Sequence, residues 1–204
     1  MKDMSAFPKF FDEVPSITTF DPLALTLGTV SDGIIKFNYK QIVKAAGHSC
    51  PTVAGAYIMT LKALDALYPD SKPVRGEIKV EFKEDQEEGV AGVIGNVITN
   101  ITAATQKSGF KGLNGRFARH SLMFFNAPIQ SSARFTRLDT QKSVDVLYNP
   151  NVVPPSKALQ ELMLLVMNQK ANEAQVKEFG VLWQERVKRI LIDNFDNEAL
   201  IKVL

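Results

Sequence analysis

Residues 74–82, VRGEIKVEF, alternate in character. Val74, Gly76, Ile78, Val80 and Phe82 fall on one side, and Arg75, Glu77, Lys79 and Glu81 on the other. A period of two with one charged face predicts a strand that is dry on one side and wet on the other. The pattern changes upstream. In 34–46, IIKFNYKQIVKAA, the stripe Ile42, Val43 and Ala46 predicts a short helix capped by Asn38 and stopped by Gly47. Pro51 fits the first position of a second helix, where its missing N–H costs nothing, and this places Cys50 at the N-cap. Tyr57, Leu61, Leu64 and Tyr68 then recur at helical spacing, and Pro69, Asp70 and Pro73 end the helix.

Further along, EDQEEG (84–89) reads as a wet turn. Residues 90–104, VAGVIGNVITNITAA, fit a buried helix or a strand equally, because they are β-branched yet rich in small residues. SGFKGLNG (108–115) is a glycine-rich loop, RFARHSLMFFN (116–126) reads as a strand, and SARFTRL (132–138) as another. The glycines of GFKGLNG lack the strand and helix that frame a dinucleotide fingerprint. PNVVPP (150–155) looks like a linker. Ser156 can cap a helix to about Lys170, a second covers about 172–192, and a short element follows at 197–204. Residues 1–33, punctuated by Pro8, Pro15 and Pro22, read as irregular or extended. The sum is an α+β fold, helices packed on a mixed sheet. Residues 1–153 form the expected α+β domain and 154–204 a C-terminal helical extension.

Composition narrows the function classes. The chain has 204 residues, 45% of them hydrophobic, enough for one sizeable core. Its 24 basic and 22 acidic residues are interspersed, so no basic face for nucleic acid is legible. The single cysteine rules out an intrachain disulfide and suits a reducing, cytoplasmic setting. No apolar run approaches the roughly 18 residues of a membrane helix, and prolines and acids break the N-terminal stretch where a signal peptide needs apolar residues.

The chemistry concentrates in AAGHSCPTVAG (45–55), which holds that one cysteine, Cys50, and one of two histidines, His48. A thiol at a helix N-terminus meets unpaired N–H groups and the positive end of the helix dipole, which favour thiolate. His48 supplies an imidazole two residues away, a pairing suited to zinc or another late transition metal. The other histidine, His120, falls inside the predicted strand 116–126 on the face of Leu122 and Phe124, where a core histidine is the simpler expectation. Convergence of His48, Cys50 and His120 would make a site of one thiolate and two imidazoles with a position open. Haem needs only one or two protein ligands and is the alternative cofactor.

Gly47-His48-Ser49-Cys50-Pro51, followed by TVAGAYIMTLKAL, resembles the hallmark segment of the FmdE-like family of formylmethanofuran dehydrogenase components. The downstream order is similar too: VRGEIKVEF, a helix-like segment, GFKGLNG and HSLMFFN, so the likeness covers about residues 36–138. It implies a small α+β fold with a mixed sheet, frequent homodimers, and a divalent metal, usually zinc, near His48 and Cys50. The chain departs from the family at Thr52, where members often have glycine. It also has no second cysteine in NVITNITAAT (96–105), near the end of the middle helix.

Three readings follow. The first is a metal- or metallo-cofactor-binding protein using His48 and Cys50, with His120 as third ligand. The second is a thiol enzyme with Cys50 as nucleophile and a histidine as base. The third is a scaffold that docks a partner protein through its helical tail. Arg116, Arg119, Arg134 and Arg137 can hold an anion, but a solvated sheet face is the simpler expectation for them. Met163, Met167 and Trp183 read as core or interface residues.

Overall fold

The alternation in VRGEIKVEF is real but shorter than its pattern. In the computed structural model, which describes residues 7–204, the strand β3 spans Ile78–Phe82, with Ile78, Val80 and Phe82 buried. Residues 1–6 of the expected irregular N-terminus lie outside the described residues. The first described elements are a 3₁₀ turn (Lys9–Asp12), β1 (Ile17–Phe20), α1 (Pro22–Thr26) and β2 (Ile34–Phe37), and β1 and β2 pair antiparallel. The helix expected within 34–46 starts behind Asn38 and stops at Gly47 as read. The four residues 34–37 are β2, and α2 runs Tyr39–Ala46 behind a capping box of Asn38 and Gln41. Gly47 ends it in the left-handed conformation, φ 76°.

Helix α3, Pro51–Leu67, is buried on nearly every side, as its apolar composition demands. It crosses the sheet over β5 (Ala133–Arg137), β6 (Ser143–Tyr148) and β7 (Ile201–Val203). Sheet order is β4-β3-β5-β6-β7, with β3 and β4 (Met123–Phe124) parallel and the other pairs antiparallel. The architecture is thus α+β, with a mixed five-stranded sheet and a second, two-stranded one. On the polar face Arg134 and Asp145 sit opposite each other in register and form an ion pair at 2.8 Å.

The ambiguous segment resolves as helix α4, Ala91–Thr102. Packing decides it: Gly95 lets Met123 and Phe125 approach the helix closely, and Ile94, Val97, Ile98 and Ile101 fill the core. The expected strand over 116–126 is mostly absent. Only Met123–Phe124 pair with β3, because the chain before them turns repeatedly, with positive φ at Asn114, Phe117 and Ser121.

Residues 154–204 supply α5 (Lys157–Met167), α6 (Glu173–Lys188) and a π-helical turn at Arg189–Asp193. The segment then returns to the sheet as β7, and Val187, Ile190, Leu191, Leu200 and Ile201 join the main core. No helix among the described residues is long and apolar enough to cross a membrane.

Candidate functional site

The junction between α2 and α3 follows from local sequence. Gly47 turns the chain, Cys50 adopts the extended N-cap conformation, and its Sγ accepts the Val53 N–H at 3.4 Å. Pro51 occupies the first helical turn as expected. Cys50 is buried, next to the buried Tyr39 and the partly buried Tyr148. Tyr39 donates to or accepts from Ser49 Oγ at 2.9 Å, and Tyr148 Oη donates to the Pro51 carbonyl at 2.7 Å. Burial pushes both tyrosines above the ordinary phenol range, and the neighbouring Cys50 pushes them the same way. The Tyr148 ring lies so close over α3 that a Cβ on Gly55 would overlap it.

His48 is exposed, and its Nδ1 lies 3.0 Å from the Ala46 carbonyl oxygen. A carbonyl only accepts, so the contact is a hydrogen bond only when Nδ1 carries the proton. In the neutral ring Nε2 then keeps its lone pair. His48 lines a cavity of about 330 Å³ with Ala45, Ala46, Val93, Val97 and Asn100. Asn96 and Thr99 connect this cavity to a smaller cleft of about 180 Å³ on the outer side of α4. That cleft shares Gln86, Gln106 and Met123 with a third, of about 510 Å³, whose rim includes Lys107 and Ser121.

His120 is elsewhere. It lies in a turn, half-buried, with Nδ1 3.0 Å from Ser121 Oγ, not in the apolar strand face expected for it. Phe124, its supposed face neighbour, is exposed. Among the described residues no group of three or more His, Cys, Asp or Glu side chains is placed to hold a metal ion, so His48, Cys50 and His120 are not gathered into one ligand set. A zinc site built wholly from this chain's side chains needs three or four donors. The residues present therefore fit only a metal that brings further ligands of its own.

The four arginines do not converge either. Arg134 pairs with Asp145, and Arg137 pairs with Asp139 while stacking on Tyr68 with its guanidinium carbon 4.0 Å from the ring centroid. Arg116 lies over Phe117. Arg119, expected on a wet strand, is instead 6% exposed and bound to Asp21 at 2.7 Å. Arg75, expected on the wet side of the strand pattern, joins the same carboxylate at 2.7 Å and also donates to the Ile101 and Asn100 carbonyls at the end of α4. Asp21 is itself 3% exposed and caps α1 through Leu23 and Ala24. Burial raises its pKa, but the Ala24 N–H and the two guanidiniums outweigh this and hold the carboxyl below its usual range.

Sequence reasoning missed two further groups. Trp183 and Gln184 of α6 both donate to the Ser49 carbonyl, at 3.0 and 3.2 Å. Asp21 before Pro22 carried a helix-start signal, but nothing local marked its arginine partners. No family model matches the chain, and no curated protein matches it.

Proposed function

We propose that the chain is a binding module for a metallo-cofactor or ligand-bearing metal, held through His48 at the α2–α3 junction, with Cys50 two residues on as the candidate second donor. The observation that carries the reading is the bond from His48 Nδ1 to the Ala46 carbonyl. A ring nitrogen fixed in this way orients the imidazole and leaves the opposite lone pair for a metal. That lone pair belongs to an exposed residue on the rim of a cavity large enough for part of a small molecule. One imidazole suffices for a cofactor such as haem, which brings its own equatorial donors. The family resemblance at Gly47–Pro51 supports the same assignment of His48 and Cys50.

The thiol-enzyme reading has less support. The only hydrogen bond to Cys50 Sγ comes from a backbone N–H, and no imidazole among the described residues is bonded to it.

Titration of the purified, reduced protein with hemin and, separately, with a zinc chelate that keeps one coordination position open tests the proposal. Stoichiometric binding of one of them, weakened at least tenfold in His48→Ala, is the expected result. Binding by neither, or equal binding by His48→Ala, overturns it.

A further inference from the structure

In the helical hairpin α5–α6, Leu159, Leu162 and Val187 are buried, and Val187 joins the main core. One polar link runs from the hairpin to the candidate site. The Ser49 carbonyl, between His48 and Cys50, receives both Trp183 Nε1–H and Gln184 Nε2–H. A carbonyl oxygen has two lone pairs, so these bonds saturate it. The Trp183 ring is itself braced by Phe179, their centroids 5.5 Å apart.

The Gln184 amide is informative. Its Oε1 is buried without a partner, while its NH₂ faces the carbonyl. Reversing the amide would set oxygen against oxygen, so the orientation is fixed. An unsatisfied buried acceptor is unfavourable, yet the geometry keeps it in order to hold Ser49. Tyr39 holds the Ser49 hydroxyl and Tyr148 the next carbonyl but one, so the loop is tied from three sides. Of these ties, only the α6 pair comes from the C-terminal hairpin.

We infer that Trp183 and Gln184 are positioning residues for the His48–Cys50 loop, which they clamp through their two donors to the Ser49 carbonyl and not through the packing of the hairpin. The inference rests on the binding reading for its functional meaning, but not for its test. Trp183→Phe keeps an aromatic ring and Gln184→Leu keeps bulk; each removes one donor, and the double variant removes both. Val187→Ala is the control, since it loosens the hairpin's packing without touching Ser49.

The readouts are the ¹⁵N shifts of the His48 ring and the rate of Cys50 alkylation by iodoacetamide in the folded protein. The double variant is expected to move the His48 shifts and to alkylate at least tenfold faster than wild type, with intermediate rates for the single variants and neither change in Val187→Ala. Hemin or zinc-chelate affinity should fall in parallel wherever wild type binds. Unchanged His48 shifts and alkylation in the double variant overturn the inference, as do equal changes in Val187→Ala, which would mark a merely structural role. A wild type that binds neither probe overturns the binding reading alone, because the shifts and the alkylation rate still decide the clamp.

Discussion

The α2–α3 junction and the Asp21–Arg75–Arg119 cluster both gather reactive or charged side chains, and they are built oppositely. At the junction the backbone is tied from several sides while the His48 ring faces outward with one nitrogen free. In the cluster the side chains themselves are tied inward. Asp21 meets two guanidiniums and two backbone N–H groups, and Arg75 also satisfies carbonyls at the end of α4. The cluster holds two positive charges against one negative. The negative end of the α4 dipole, met by Arg75, offsets part of the excess. Arg119 Nε and Nη1 remain buried without partners. The guanidinium lies against Gly76, where a Cβ would come within 2.9 Å of Arg119 Nε, so the cluster leaves little room for a ligand. Charge that is spent internally holds a fold together, whereas a donor left over at a tied backbone is available for binding.

The largest expected effect follows from the cluster. Asp21→Asn leaves two arginines buried without their counter-charge and should cost about 3–5 kcal/mol, measured by urea unfolding at neutral pH. A loss below about 1 kcal/mol would show that the α4 carbonyls and solvent already balance the arginines, and the contrast between the two regions would fail. The pH dependence has a defined sign. Because the folded pKa of Asp21 is lowered, its stabilisation is complete above the unfolded value near 3.9 and is lost as pH falls through the folded value. The stability gap between wild type and Asp21→Asn should therefore stay constant from pH 7 to about 5 and narrow only below about 4. A gap that closes already near pH 6 would point to a histidine instead.

A smaller effect tests the junction's own packing. Alanine ordinarily stabilises a helix over glycine by up to about 1 kcal/mol. At Gly55 the sign should reverse, because the new Cβ displaces the Tyr148 ring and with it the bond to Pro51 O. Gly55→Ala is expected to destabilise by about 1–3 kcal/mol in the same urea assay. A neutral or stabilising result would mean that Tyr148 moves aside freely and is no brace for the site.

The contrast also explains what was legible in the sequence. The junction is made of short-range rules: Asn38 as N-cap, Gly47 as stop, Cys50 and Pro51 as cap and first turn. All of these hold in the structure. Helix α4 is ambiguous in sequence because its β-branched residues Ile94, Val97, Ile98 and Ile101 serve burial in the core, which local propensity does not encode. The stretch 116–122 misled for the same reason in reverse. Its alternation suggested a strand, but Arg119 is drawn inward by Asp21, 98 residues away, and the chain turns around it. Trp183 looked like an ordinary core or interface residue, since its partner is a backbone carbonyl 134 positions earlier. Ion pairs and side-chain-to-backbone bonds over such separations leave no periodic trace.

The smallest stability effect carries the most functional weight. His48 is exposed, and its one intramolecular hydrogen bond goes to the carbonyl of a residue two positions away. Surface substitutions away from caps and cores generally change stability by less than about 0.5 kcal/mol. His48→Ala should stay within that margin in urea unfolding, while Cys50→Ala, which removes the N-cap acceptor of α3, should lose about 0.5–2 kcal/mol. The two neighbours thus separate into a residue the fold uses and a residue it only presents. A loss near 2 kcal/mol in His48→Ala would place His48 with the cluster, as a structural group whose ring nitrogen is not free. A null stability effect alongside lost hemin or zinc-chelate binding would place it where the junction geometry does, on a scaffold tied so firmly that its outward group is free to act on something else.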